Sequence, residues 1–299
     1  MLQFQPLGFG QQVIETSLGA MAFYTPVAAP WQIEERGDLP PLLFLHSLGG
    51  GSSAYEWSKV YPAFAADYRV IAPDLIGWGQ SAHPIKAYQP EDYFTVITEL
   101  IEQTASAPAI ACASSLTAGL LIRLAIQRPD LFQRLLLVSP SGYNEFGLDY
   151  GKGIAAQLAG TPGIDRLLYT FGAANELAVR NFLQQFLFAE RSRLTDEIVA
   201  AYLASTLQPN AEYAALASLR GDLCFDLSLY IEQLKTPTAL FWGESARFSS
   251  VAVGRRLGQL NPTAIEAFYA IANVGVLPHL ETPEVLIGLM QGYLNRSKS

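Results

Sequence analysis

The chain has 299 residues, half of them hydrophobic and 15% charged, enough to bury the core of one large α/β domain with an insertion and too apolar to stay disordered. Its net charge of −8 argues against nucleic acid and anionic lipid surfaces as partners, because both carry the same sign. No uninterrupted apolar stretch approaches the roughly 18 residues of a spanning helix, and Met1 to Gly10 lacks the basic and apolar regions of a signal peptide. An integral membrane segment is therefore not expected, and a cytoplasmic location is.

Up to Pro40 the hydrophobicity alternates weakly, as in Ala20-Met21-Ala22-Phe23-Tyr24, which predicts antiparallel edge strands. Short apolar runs then alternate with helix-length amphipathic segments, the pattern of a mostly parallel sheet with crossover helices. Strands are predicted at Leu42 to Leu45, Arg69 to Ala72, Ala109 to Ala113 and Arg134 to Val138. Helices are predicted at Ala54 to Ala66, Glu91 to Thr104 and Leu116 to Gln127, the last stopping before Pro129. Cys112, one of two cysteines, sits in a buried strand and reads as a packed thiol rather than a disulfide partner, which fits a reducing compartment.

The alternation stops at about Tyr143. From there to Gln233 helical stretches such as Glu176 to Ala189 and Thr195 to Ser205 follow one another with no strand between them. The sheet pattern resumes with a strand at Thr238 to Trp242, a helix at Val251 to Leu260, a strand at Ile265 to Ile271 and a closing helix at Pro283 to Tyr293. The expected organisation is a core made of residues 1–142 and 236–299, with an all-helical lid at 143–235.

The segment Ala109-Ile-Ala-Cys-Ala-Ser-Ser-Leu-Thr-Ala-Gly119 runs a buried strand straight into a helix, with small residues around Ser115. A tight strand-to-helix turn tolerates only small neighbours, and it lifts the serine hydroxyl above the sheet. The same serine could instead do no more than N-cap the helix. Neighbouring motifs bear on that choice. They are His46-Ser47-Leu48-Gly49-Gly50-Gly51 after a strand, Pro73-Asp74-Leu75-Ile76-Gly77-Trp78-Gly79-Gln80-Ser81, Trp242-Gly243-Glu244, and Pro278-His279-Leu280-Glu281-Thr282-Pro283.

In this order the motifs resemble the α/β-hydrolase superfamily, in its lid-bearing branch of esterases, epoxide hydrolases and dehalogenases, over essentially the whole chain. The resemblance implies an α/β-hydrolase fold with a mostly parallel eight-stranded sheet, helices on both faces and an inserted helical lid. It implies Ser115 as nucleophile and the backbone N–H groups of Leu48 and Leu116 as an oxyanion hole. It also exposes two departures. The acid-bearing strand, which usually ends Gly-Glu-Xaa-Asp, reads Gly243-Glu244-Ser245-Ala246, so Ala246 stands at the acid position. The catalytic histidine, expected after a glycine and five positions before the glutamate, falls on Val276.

Of the three histidines, His46 belongs to the oxyanion turn, His83 reads as a loop residue, and His279 is the one candidate substitute base. Glu244, Glu145 and Asp149 are candidate substitute acids. A serine without a base is a weak nucleophile. The expectation is a degenerate triad: a pseudoenzyme, or a very weak hydrolase, that binds an apolar small molecule, an acyl or ester ligand such as a long-chain fatty acid, or a protein partner. The alternative is a serine hydrolase of an ester, lipid or acyl substrate using Ser115 with His279. No cofactor or metal is expected. Phe182, Phe186, Phe188 and Tyr202 are candidates for an apolar pocket under the lid.

Overall fold

A computed structural model describes residues 4–31, 39–105, 107–161, 169 and 174–296 of the chain. Eight strands form one sheet in the order β1-β2-β4-β3-β5-β6-β7-β8. They are β1 (Phe9–Thr16), β2 (Gly19–Pro26), β3 (Pro41–Leu45), β4 (Arg69–Pro73), β5 (Ala109–Ser114), β6 (Phe132–Val138), β7 (Thr238–Gly243) and β8 (Ile265–Ile271). β1 and β2 are antiparallel, and β2 meets β4 antiparallel; every other pairing is parallel. This is the fold that the sequence motifs implied.

The central strands are buried on both faces, so they read as continuous apolar runs rather than alternating ones. Their side chains nevertheless divide by parity. Leu43, Leu45, Ala111, Ala113, Leu135 and Leu137 join one core cluster. Leu42, Phe44, Ile110, Cys112, Leu136 and Val138 join the other. The first face is covered by α1 (Pro90–Thr104) and α2 (Ser115–Gln127), through residues such as Ile97, Leu100, Leu120 and Leu124. The long C-terminal helix (Pro283–Arg296) covers the second through Leu286, Met290 and Leu294. α1 is started by Pro90, and the Asp92 carboxylate receives the Gln89 N–H at 2.8 Å.

The segment predicted as a helix from Ala54 to Ala66 forms two short 3-10 turns instead, Ala54–Trp57 and Tyr61–Phe64. Pro62 has no N–H to give, so a helix cannot run through it.

Between β6 and β7 the described chain contains no strand of the sheet. It carries α3 (Ile154–Ala159), α4 (Glu176–Phe182), α5 (Asp196–Thr206) and α6 (Ala211–Arg220). The helix expected from Glu176 to Ala189 leaves α-geometry at Phe182 and continues as a π-helical turn, Leu183–Leu187. The insertion starts and ends at one place: Tyr143 and Phe225 form a β-bridge, and the Phe225 N–H reaches the Gly142 carbonyl at 2.8 Å. A third apolar cluster joins Leu183, Leu187, Phe188 and Tyr202 of the insertion to Val276, Leu277 and Leu280 of the core. The remaining helices are α7 (Val251–Leu260), α8 (Pro278–Glu281) and α9, the C-terminal helix described above. Among the described residues no helix is long and apolar enough to cross a membrane. Cys112 is a buried free thiol and Cys224 a half-buried one.

Candidate functional site

β5 passes into α2 with no loop between them. The change of direction is absorbed at Ser115, whose φ of 56° lies in the left-handed region. A non-glycine residue held there costs about 1–3 kcal/mol, which the surrounding packing must offset. The turn sets the Ser115 hydroxyl at the C-terminal edge of the sheet and at the N-terminus of α2. There it borders a cavity of about 370 Å³.

Leu48 and Leu116 border the same cavity. The Leu48 N–H donates to no described protein group. Leu116 is the second residue of α2, so its N–H has no acceptor within the helix. Both donors are therefore free for a ligand. The turn that carries Leu48 is fixed from below. His46 is fully buried; its Nε2 accepts the Leu75 N–H at 2.9 Å, which leaves Nδ1 to donate to the Ser47 carbonyl at 2.6 Å. Glu56, also fully buried, receives the Ser47 N–H and hydroxyl at 2.8 Å each and the Tyr202 hydroxyl at 2.9 Å. Burial pushes the Glu56 carboxyl up, but the His279 imidazole beside it and the Ser47 N–H outweigh it and hold the carboxyl down at about 2.

The hydrogen-bond partner of the Ser115 hydroxyl is the Tyr143 phenol, at 2.6 Å. Tyr143 follows β6, the strand beside β5, and has a φ of 67°. Glu145 holds that backbone in place. Its carboxylate receives the Gly142 and Tyr143 N–H groups and the Ser141 hydroxyl. Burial pushes the Tyr143 phenol far above its ordinary range, and the phenol is neutral at physiological pH. A neutral phenol can share a hydrogen bond with Ser115, but it cannot remove the proton.

Val276 borders the cavity with 4% exposure. Its loop is held by close backbone approach. A Cβ on Gly243 would lie 2.0 Å from the Gly275 carbonyl oxygen, and a Cβ on Gly275 would lie 2.2 Å from that of Leu187. The Glu281 carboxylate receives the Gly275 N–H at 2.6 Å and the Ala189 N–H at 3.0 Å, tying the loop to the insertion. Ala246 is half-buried beyond the end of β7, bonded through its N–H to the Gly243 carbonyl, and does not border the cavity.

His279 is not brought to Ser115. Its ring is fully buried and stacked on Trp57 at 4.3 Å, with Nε2 3.8 Å from a Glu56 oxygen, and it does not border the cavity. Neither ring nitrogen has a hydrogen-bond partner among the described residues. Its position beside Pro278 in α8 points the ring into the core rather than up to the sheet edge. His83 is half-buried, with Nε2 3.2 Å from the Gly79 carbonyl. Of the candidate acids, Glu244 is exposed, Asp149 pairs with Lys152, and Glu145 is committed to the backbone under Tyr143. Among the described residues that border the cavity there is no Asp, Glu, His, Lys, Arg or Cys. No group of three or more metal-ligating side chains occurs among the described residues either.

Of the four aromatic residues singled out from the sequence, Phe182 and Phe186 line the cavity, whereas Phe188 and Tyr202 pack beneath it. Sequence reasoning missed Tyr143, Tyr150 and Phe248 as lining residues and Glu56 as the buried anchor. The signal for Tyr143 was its place in the loop that follows β6, since neighbouring parallel strands end side by side.

A model of the alpha/beta hydrolase family matches residues 42–289. A haloalkane dehalogenase of Bradyrhizobium diazoefficiens is 37% identical over 98 residues, 33% of this chain and 31% of that protein, so the match spans about a third of the relative's length. The uncharacterized hydrolase YugF of Bacillus subtilis is 24% identical over 243 residues, 79% of this chain and 83% of its own. Among solved structures, the haloalkane dehalogenase DbeA of Bradyrhizobium elkani superposes with a TM-score of 0.78 at 20% identity, covering 97% of this chain and 100% of that one. At that identity the likeness speaks for the fold alone. The family match takes in every residue that borders the cavity, and the chain belongs to the alpha/beta hydrolase family.

Proposed function

We propose that this chain is a non-catalytic or very weakly hydrolytic member of its family that binds an apolar small molecule in the cavity beside Ser115. Residues 143–235 act as a lid over a core of residues 1–142 and 236–299. The observation that carries this reading is the environment of the Ser115 hydroxyl. It is bonded to a neutral phenol, and among the described residues none that borders the cavity can accept its proton. Val276 and Ala246 stand at the histidine and acid positions. In a working triad, loss of the serine or the histidine costs about 10⁶ in turnover. An oxyanion hole alone retains about 10³–10⁴ over water. The wall is apolar enough to hold a ligand without chemistry: Phe182, Phe186 and Phe248 pack ring to ring at 5.7–6.4 Å.

The strained φ of Ser115 and the two free N–H donors favour a second reading, in which the chain is a serine hydrolase for an ester, lipid or acyl substrate. That reading requires His279 to leave Trp57 and Glu56 and reach Ser115. A fluorophosphonate probe separates the two. Slow or absent labelling of Ser115 supports the binding reading. Rapid stoichiometric labelling that is lost in His279→Ala refutes it.

A further inference from the structure

Glu56 stands on the 3-10 turn Ala54–Trp57, fully buried, and does not border the cavity. Its carboxylate nevertheless joins the cavity wall to the insertion. One oxygen accepts the Ser47 N–H at 2.8 Å and lies 3.5 Å from the Ser114 hydroxyl. The other accepts the Ser47 hydroxyl at 2.8 Å and the Tyr202 hydroxyl at 2.9 Å. Ser47, Leu48, Gly49 and Gly50 border the cavity. Tyr202 stands on α5, and none of the described residues of α5 borders it. One charged group thus bonds a cavity wall on one side and, on the other, a helix outside the cavity.

That wall depends on outside support. Residues 49–51 are glycines, which have no side chains to pack and lose the most backbone freedom on ordering. A Cβ on Gly50 would meet nothing within 4 Å. Ser52 closes the turn, with its N–H on the Gly49 carbonyl at 3.1 Å and its hydroxyl receiving the Gly49 N–H at 3.2 Å. Further restraint comes from α5. A Cβ on Gly51 would lie 2.7 Å from the Tyr202 carbonyl oxygen, and the Ser205 hydroxyl donates to the Ser52 carbonyl at 3.0 Å. Glu56 is ionised at physiological pH, and hydrogen bonds to an ionised acceptor are the stronger kind. The same helix has a second tie to the same 3-10 turn. The Tyr55 hydroxyl donates to Glu197 of α5 at 2.8 Å, and neither side chain bonds residues 47–52 among the described residues.

We propose that Glu56 is a positioning residue of the cavity: it passes the docking of α5 on to the wall at residues 47–50, so that a ligand held against that wall and α5 held on the core stabilise each other. The proposal rests on the ligand-binding reading above and adds its regulation. Ligand affinity is set in part by a helix that the ligand does not touch, and the coupling runs equally in both directions.

The test uses N-phenyl-1-naphthylamine, a neutral fluorophore that brightens in apolar surroundings, titrated into the full chain. Amide exchange of residues 47–52 is followed by mass spectrometry in the absence of the probe. Tyr202→Phe removes one hydroxyl outside the cavity. It is expected to weaken the probe about fivefold or more and to speed exchange at residues 47–52. Tyr55→Phe removes the other hydroxyl tie of α5 and is expected to change neither, even where it lowers the unfolding midpoint. Glu56→Gln should act like Tyr202→Phe, and the two together should cost less than their sum, because they share one bond. If Tyr202→Phe does not fold, Glu56→Gln against Tyr55→Phe decides by the same criteria. Equal effects of Tyr202→Phe and Tyr55→Phe would overturn the proposal, since any loosening of α5 would then do the same. An unchanged affinity in Tyr202→Phe would overturn it too. In both cases probe binding by the wild type leaves the ligand-binding reading standing. If the wild type does not bind the probe, that reading falls and the positioning role falls with it.

Discussion

Restoring a histidine at residue 276 is the most direct test of how the cavity is read. Val276 is bound through its N–H to the Leu187 carbonyl at 2.9 Å, and its neighbour Gly275 is wedged between Gly243 and Leu187. That backbone has no room to shift, so the Val276→His imidazole must extend into the cavity that valine already borders. A well-placed general base gives about 10²–10⁴ in rate. A 1 Å misplacement costs about 10². The expected gain in Val276→His is thus at most about 100-fold over the wild-type chain. The Tyr143 phenol, 2.6 Å from the hydroxyl, competes for the same site, and Tyr143→Phe in the Val276→His background should raise the rate further. Ala246→Asp alone should do nothing, having no histidine to orient. The pair should exceed the sum of the two, since triad members act as a unit. The assay is p-nitrophenyl acetate turnover at pH 8, with Ser115→Ala in every background as the control. A well-folded double variant with no Ser115-dependent gain would refute the assignment of residues 276 and 246 to the histidine and acid positions.

Other outcomes follow from the same geometry. Fluorophosphonate labelling of Ser115 should be slow and nearly flat between about pH 6 and 10, because burial pushes the Tyr143 phenol above its ordinary range and no phenolate forms there to act as a base. A rate that climbs tenfold per pH unit in that interval, and is abolished in Tyr143→Phe, would contradict this. Glu56 is held at about 2 against an ordinary 4.5, so it contributes about 3 kcal/mol that is present above pH 4.5 and lost as pH falls towards 2. Denaturant titrations of the wild type and Glu56→Gln should therefore show a stability gap that closes between about pH 4.5 and 2, and a gap constant with pH would show that Glu56 holds no special charge. Gly243→Ala should destabilise by about 3 kcal/mol, since its methyl would sit 2.0 Å from the Gly275 oxygen; a midpoint within error of wild type would mean that the two loops part easily.

The fold was legible because its signals are local and redundant. Leu42–Leu45, Ala109–Ala113 and Thr238–Trp242 are apolar runs bounded by turn residues, and each became a strand within a residue or two. The strand-to-helix turn at Ser115 was legible only together with the neighbouring motifs, because its small neighbours alone fit a plain helix N-cap equally well. The site was legible only where one segment carried the information. Ser115, Leu48 and Val276 were named through the resemblance to family motifs, and all three border the cavity. The bond from Tyr143 to Ser115 spans 28 residues, and the Glu56 anchor gathers Ser47, Ser114, Tyr202 and His279 from four separate parts of the chain. Such contacts leave no periodic trace. His279 shows the converse failure: the residue type suggested chemistry, whereas a helix start beside Trp57 turned the ring into the core.

The pairing of Tyr143 with Phe225 gives the insertion a property of its own. The chain leaves the sheet and comes back through one gate, so the helices between are a closed loop whose ends the core already holds together. Closing a loop that is longer or shorter adds only about 0.6 kcal/mol for each doubling of its length. The number of residues between Tyr143 and Phe225 can therefore change at little entropic cost, while Leu187 and Tyr202, which bond Val276 and Glu56, tie the segment to the core. Val179, Phe182, Phe186 and Leu216 of this segment line the cavity, so a change of length there alters the cavity wall while the sheet stays as it is.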